Sequence, residues 1–309
     1  MKLKATLMAA TALAATAFGG AQAQEVERLG LAVSNLQADY FNQIKIGVEQ
    51  YAEELGIEVI TVDAKNDSAT QVSQVQDLLT QDIDALIYLP AGAAAATVPT
   101  RLARQAGIPV VNVDRNAEGE PGDTFIATDN ATSAYEVCSH IIGLAGGEGQ
   151  MIMIHGQRGT TPEVERTKGC MRAIEENEGV ELAAQQWSQQ WSQAEGLDIT
   201  QNLLQANPDV SIIFAQADGL ALGAAQGVKV SGVDQRVYIG GFDGDTTALP
   251  ILVEGGFDAT ATQQVRGIGR LAVDSAIQLV AGEELPSEQL LPGYLTTPEN
   301  AQEFVDEHP

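Results

Sequence analysis

Residues 29–63 read LGLAVSNLQADYFNQIKIGVEQYAEELGIEVITVD, and this stretch decides the fold. Leu29 to Val33 is an apolar run of strand length. From Tyr40 onward Phe41, Ile44, Val48, Tyr51, Ala52 and Leu55 recur every three or four positions, and Gly56 supplies a helix stop. Val59 to Val62 is a second strand. Strand, helix and strand in this order predict a βαβ unit with parallel strands. The alternation continues through a helix with Val72, Val75, Leu78 and Leu79, a strand at Ala85–Leu89, a helix to Ala106 and strands at Val110–Val113 and Thr124–Ala127.

A helical pattern from Ala131 to Leu144 opens a second series. Strands are expected at Met151–Ile154, Val180–Ala184, Ser211–Phe214, Val237–Ile239 and Asp258–Thr262. Helices are expected at Val164–Glu176, Leu197–Gln205, Leu220–Val228, Thr247–Val253 and Ile268–Val280. A chain of 309 residues exceeds what one core usually serves. The expectation is an α/β protein of two similar doubly wound parallel-sheet lobes with a ligand cleft between them. The segment near Asp129 lacks the Pro, Gly or Ser of a free tether and reads as a hinge.

The first 23 residues have Lys2 and Lys4, an acid-free apolar run from Ala5 to Phe18, and Ala21-Gln22-Ala23 with small residues where export peptidases cut. Residues 1–23 read as a signal peptide, the apolar run being shorter than the roughly 20 residues a spanning helix needs. The mature chain is expected from Gln24, exported to the periplasm. Two cysteines, Cys138 and Cys170, then meet an oxidising compartment; one disulfide is expected, two buried free thiols being the other reading.

Forty-two acidic residues against 16 Lys and Arg give a formal charge of −26. That sign disfavours nucleic acid and anionic membranes as partners. Enzyme signatures are thin: no phosphate loop and no nucleophile elbow occur, and three histidines with two cysteines do not make a zinc site. Neither a cofactor nor a metal is expected. Ligands of open parallel sheets bind beyond the carboxyl ends of strands, and there the chain offers Asp114-Arg115 after one strand and Asp243 after another. Tyr40 and Phe41 stand at the mouth of the first strand. Trp187 and Trp191 fall in a polar run, where Trp191 reads as a stacking face rather than core.

The segments Asp63–Asp67, Gly107–Arg115, Asp129–Asn130, Gln201–Asp209, Phe214–Gly223 and Gly240–Gly244 together resemble the ribose-type periplasmic sugar-binding proteins, the solute receptors of ABC importers. The resemblance covers essentially the whole mature chain. It implies that residues 24–129 and 264–290 form the N-terminal lobe, and 130–263 and 291–309 the C-terminal lobe. It further implies a pocket of Tyr40, Phe41, Asp114, Arg115, Trp191, Asp243 and Gln263. Ala38, Leu89, Val164 and Ala217 are read as departures, standing where the ribose pattern has polar anchors. The implied function is a monomeric, non-enzymatic receptor for a neutral monosaccharide or polyol other than ribose. Its partners would be ABC permease subunits and a chemoreceptor. The rival reading is an exported glycoside hydrolase using Asp114 and Asp243 as its two carboxylates.

Overall fold

The computed structural model describes residues 25–92, 96–117 and 119–307; the expected signal peptide lies outside the described residues. The chain opens with β1 (Arg28–Val33), α1 (Asp39–Leu55), β2 (Glu58–Asp63), α2 (Ser68–Leu78), β3 (Ala85–Tyr88), α3 (Thr97–Gln105), β4 (Val110–Val113) and β5 (Thr124–Thr128). It crosses to a second lobe with α4 (Asn130–Leu144), β6 (Glu148–His155), α5 (Thr161–Glu175), β7 (Gly179–Trp187), α6 (Gln193–Ala206), β8 (Val210–Ala215), α7 (Asp218–Ser231), β9 (Tyr238–Gly240), α8 (Leu249–Val253) and β10 (Thr260–Thr262). Then α9 (Val265–Val280) and β11 (Glu288–Leu291) return to the first lobe, and β12 (Tyr294–Thr296) and α10 (Ala301–Asp306) end in the second.

The first lobe is a six-stranded sheet of order β11-β5-β4-β3-β1-β2 with every pairing parallel. One face is covered by α1 and α9, whose Ile44, Val48, Ile268 and Ala272 pack on Leu29, Leu31 and Ile87; Val75, Leu78 and Ala103 of α2 and α3 cover the other. A Cβ at Gly269 would stand 2.6 Å from the Ile44 carbonyl oxygen, so glycine there lets α9 lie against α1. The second lobe is a parallel sheet of order β7-β6-β8-β9, extended by a bridge from Gly240 to Ala259, with apolar clusters on both faces. Burial on both faces accounts for the uninterrupted apolar strands read in the sequence.

Three connections cross between the lobes, at 128–130, 262–264 and 291–294. The short antiparallel pair β10–β12 holds two of them in register, and Asp129 N–H donates to the Leu291 carbonyl at 2.8 Å, tying the first to the third. The half-exposed β11, the short β12 and the terminal α10 carry too little apolar periodicity for sequence reading. β7 runs three residues beyond the expected Ala184, through Gln185, Gln186 and Trp187. As the edge strand it tolerates polar residues that a central strand would not. On α4 and α5, Cys138 and Cys170 are joined as a disulfide with Cα atoms 5.3 Å apart, inside the span a bridge allows. Among the described residues no helix is long and apolar enough to cross a membrane.

Candidate ligand-binding cleft

The carboxyl ends of both sheets face one cavity of about 620 Å³, within the range of small-molecule sites. From the first lobe it is lined by the β1–α1 turn with Ala38, Asp39, Tyr40 and Phe41, by Asn66 after β2, and by Asp114 and Arg115 after β4. The second lobe contributes Pro162 and Arg166 of α5, Gln190, Trp191 and Ser192 after β7, Ala217 and Gly219 after β8, and Asp243, Asp245 and Thr247 after β9. The lobes meet over it. Asp39 accepts from the Thr246 N–H at 2.8 Å and hydroxyl at 2.7 Å; Asn66 Nδ2 donates to Gln190 Oε1 at 3.0 Å; the Asn116 N–H donates to the Thr161 hydroxyl at 3.0 Å.

Of the six non-glycine residues with positive φ among the described residues, Asn66, Asp114, Trp191 and Asp243 line this cavity. At Asp114, φ is 65° and the Arg115 N–H donates back to the Val113 carbonyl at 2.7 Å, a tight turn that ends β4. Strained backbone gathers where side chains must be aimed, and here it aims acids and an aromatic.

Each lobe presents a buried carboxylate–guanidinium pair. In the first lobe Arg115 Nε lies 3.3 Å from Asp114 Oδ2, with Arg115 Nη1 donating to the Pro90 carbonyl at 3.0 Å. In the second Arg166 Nη1 lies 3.2 Å from Asp243 Oδ1. Arg166 also donates to Asn130 Oδ1 at 2.7 Å and to the Gln216 carbonyl at 2.6 Å, and its guanidinium lies over the Phe242 ring at 3.7 Å. Burial pushes the Asp114 carboxyl up, against the pull of Arg115 and Arg166. Burial likewise pushes Asp243 up, to about 8, with Arg166 opposing and Asp218 and Asp114 reinforcing. Asp218, with burial as the largest cause, is pushed up to about 7 although it accepts from the Gly244 and Asp245 N–H groups and the Thr260 hydroxyl. A neighbouring guanidinium is therefore not enough to offset the desolvation of these acids.

The sequence-expected residues converge with one adjustment. Tyr40, Phe41, Asp114, Arg115, Trp191 and Asp243 all line the cavity. Tyr40 and Phe41 pack edge to face at 5.2 Å. Trp191 rests on Gly156, where a Cβ would stand 1.7 Å from the ring, so that glycine is required by the close approach. Gln263 is fully buried beneath the cavity: its Nε2 donates to Asp243 Oδ1 at 2.7 Å, and its Oε1 accepts from the Thr128 hydroxyl at 2.5 Å. It positions Asp243 and ties two lobe crossings together. Trp187 stays behind the cleft, stacked on His155 at 4.4 Å and donating to Glu163 at 3.0 Å.

Two of the four expected departures fall elsewhere. Leu89 packs in the first lobe's core. Val164 is half exposed and lines a separate shallow groove with Thr161 and Glu165. The polar anchor on that helix is Arg166, two residues on, which sequence reading missed. Its only signal was an arginine among the apolar positions of an otherwise amphipathic helix. Ala38 and Ala217 do face the cavity. The arrangement supplies charge-assisted acceptors and donors for vicinal hydroxyls between two aromatic faces. The Tyr40 hydroxyl and the Trp191 indole N–H are buried there without a hydrogen-bond partner.

A family model described as periplasmic binding protein domain matches residues 29–284. The ribose import binding protein RbsB of Bacillus subtilis is 34% identical over 257 residues, 83% of each chain. That of Escherichia coli is 32% identical over 288 residues, 93% of this chain and 96% of the relative. Among solved structures, an ABC transporter solute-binding protein of Bacillus halodurans with bound myo-inositol superposes with a TM-score of 0.84 at 27% identity, covering 91% of this chain and 98% of that one. These proteins are receptors and not enzymes, which sets the hydrolase reading aside. The matched length and the two-lobe architecture together make this chain a member of the ribose-type periplasmic sugar-binding proteins of ABC importers.

Proposed function

We propose that the chain is the exported solute receptor of an ABC importer that closes its lobes over one small polyhydroxy ring, a monosaccharide or cyclic polyol. The observation that carries this reading is the pair of buried ion pairs, Asp114–Arg115 and Asp243–Arg166, facing each other across a cleft already latched by hydrogen bonds between the lobes. Each pair offers hydroxyls a carboxyl oxygen to accept and a guanidinium to donate; Tyr40, Phe41 and Trp191 receive the C–H faces of the ring. Closure removes water and strengthens each of these bonds.

Ribose is proposed to be a weak ligand. Ala38 and Ala217 offer no side-chain hydrogen bond, and two hydroxyls left unpaired at about 1 kcal/mol each amount to roughly thirtyfold in affinity. The two relatives named for ribose import, and a structural neighbour that holds myo-inositol, bracket the ligand class without choosing within it. A thermal-shift screen of pentoses, hexoses and inositols tests the reading. A true ligand at a hundred times its dissociation constant adds about 2.7 kcal/mol of stability; no shift with any of them overturns the proposal.

The same reading has residues 1–23 removed on export, a mature start at Gln24, the Cys138–Cys170 bridge intact in the periplasm, and a monomer that docks on the permease and on a chemoreceptor. Intact mass of periplasmic protein checks the first three, with free thiols or a retained leader counting against them.

A further inference from the structure

Four carboxylates and two guanidiniums line the cleft: Asp39, Asp114, Asp243 and Asp245 against Arg115 and Arg166. Asp114 and Asp243 are each paired with an arginine. Asp39 takes two hydrogen bonds from Thr246 across the lobe boundary. The Asp245 side chain, in contrast, accepts no hydrogen bond among the described residues. Arg166, the cation of its own lobe, is already committed to Asp243, Asn130 and the Gln216 carbonyl. Behind it lies the buried Asp218 carboxyl, its oxygens occupied by Gly244, Asp245 and Thr260. No group of three or more acids, histidines or cysteines among the described residues is placed to hold a metal ion. A second observation lies in the same cavity: Tyr40 is only 8% exposed, and its hydroxyl, which faces Asp114, completes no hydrogen bond of ordinary geometry.

A neutral ring leaves the Asp245 carboxyl, pushed well up by burial and by Asp243, Asp218 and Asp39, without a cation of its own in a cleft from which closure has removed water. An ammonium group both donates hydrogen bonds and cancels the charge. From the unpaired Asp245, the four carboxyl groups set against two guanidiniums in the cleft and the Tyr40 hydroxyl we infer that the ligand is an amino-substituted sugar or cyclitol, its ammonium held by Asp245. This rests on the receptor reading above and replaces the neutral ligand expected from sequence by one with a single positive charge.

Calorimetry at pH 7 on the mature protein, using matched pairs, tests it: glucose with glucosamine, galactose with galactosamine, and myo-inositol with an amino-deoxy inositol. At least one amino member is expected to bind tenfold or more tightly than its parent. Asp245→Asn, which keeps the size and the backbone N–H that Asp218 uses, should bring that ratio close to one while thermal unfolding shows the variant folded. Tight binding of neutral parents with no gain for any amino partner overturns this inference and leaves the receptor reading standing. An amine preference that survives Asp245→Asn also overturns it, since the charge would then be read elsewhere. Binding by no member of any pair overturns the receptor reading and this inference together.

Discussion

The two lobes solve one problem in different ways. Both place a carboxylate–guanidinium pair at the carboxyl end of a parallel sheet. In the first lobe the partners are consecutive residues, Asp114 and Arg115, set by one tight turn after β4. In the second, Asp243 follows β9 while Arg166 comes from α5, and the pair is held by Asn130, Gln216 and Gln263 from three other places in the chain. A local pair can be changed with local consequences. A pair assembled from five segments makes the site part of the lobe's own stability.

The largest expected effect follows from that contrast. Arg166→Ala leaves Asp243 without its cation and empties the space over Phe242, and removing one partner of a buried pair costs roughly 3–5 kcal/mol. The expected result is loss of detectable binding together with a clearly lowered denaturation midpoint. Arg115→Ala should abolish binding with a smaller loss of stability. Equal midpoints for the two variants in urea titrations would break the comparison between the lobes.

Next in size are the acids themselves. Asp114→Asn and Asp243→Asn each replace a carboxyl in an ion pair by an amide, at roughly 1.5–3 kcal/mol or about tenfold to a hundredfold in affinity. Stability separates them by pH. An acid whose native pKa lies above its unfolded value is protonated more readily in the folded state, so stability is highest below the unfolded value and falls as pH rises through the native one. Burial pushes Asp243 from its ordinary 3.8 to about 8, so the ligand-free protein should lose stability between about pH 4 and 8. Asp243→Asn flattens that loss, and it flattens it more than Asp114→Asn because Asp218 adds like charge only in the second lobe. Melting temperatures across this range decide; an unchanged slope in Asp243→Asn refutes the assignment.

The same contrast explains what could be read from sequence. The first lobe's βα alternation, the adjacent Asp114-Arg115 and the paired Tyr40-Phe41 are local patterns, and they were legible. Arg166 was not, because its role depends on the fold bringing α5 to the loop after β9, and nothing near residue 166 announces that. The resemblance makes Gln263 a ligand residue, the amide at a hinge crossing; only the packing shows it one layer beneath Asp243. Leu89 and Val164 were assigned to the cleft by resemblance, which fixes sequence position and not which way a side chain points. β11 and β12 draw their stability from pairing with β5 and β10, so their own residues carry little signal.

A smaller effect should separate the latch from the ligand site. The Thr246 hydroxyl contributes one of the two hydrogen bonds by which Asp39 spans the lobes. Thr246→Ala keeps the backbone donor and loses a single exposed bond, so closed and open forms shift by about 0.5–1 kcal/mol, two- to fivefold in affinity. Stopped-flow measurement should show the change as faster release with association unaltered. Slower association instead would mean that the contact orders the free cleft.

The smallest effect probes a symmetry between the lobes. Ala38 and Ala217 are the N-cap residues of α1 and α7, one in each lobe, and neither makes a side-chain cap hydrogen bond. Both also line the cavity. Asparagine at either position has two competing uses. It can accept from the helix N–H groups, adding about 0.5–2 kcal/mol of stability, or it can turn into the cleft and bind a sugar hydroxyl, adding about 1 kcal/mol to affinity. One amide presents an oxygen and an NH₂, so capping with the oxygen leaves the NH₂ free to donate into the cleft. Ala38→Asn and Ala217→Asn are therefore each expected to raise ribose affinity about fivefold and the melting temperature slightly, and the double variant should combine the two gains. Ribose titrations of the three variants measure this. A stability gain with no gain in ribose affinity would show that the amide is consumed by the cap, and that the alanines are not what makes ribose a poor fit.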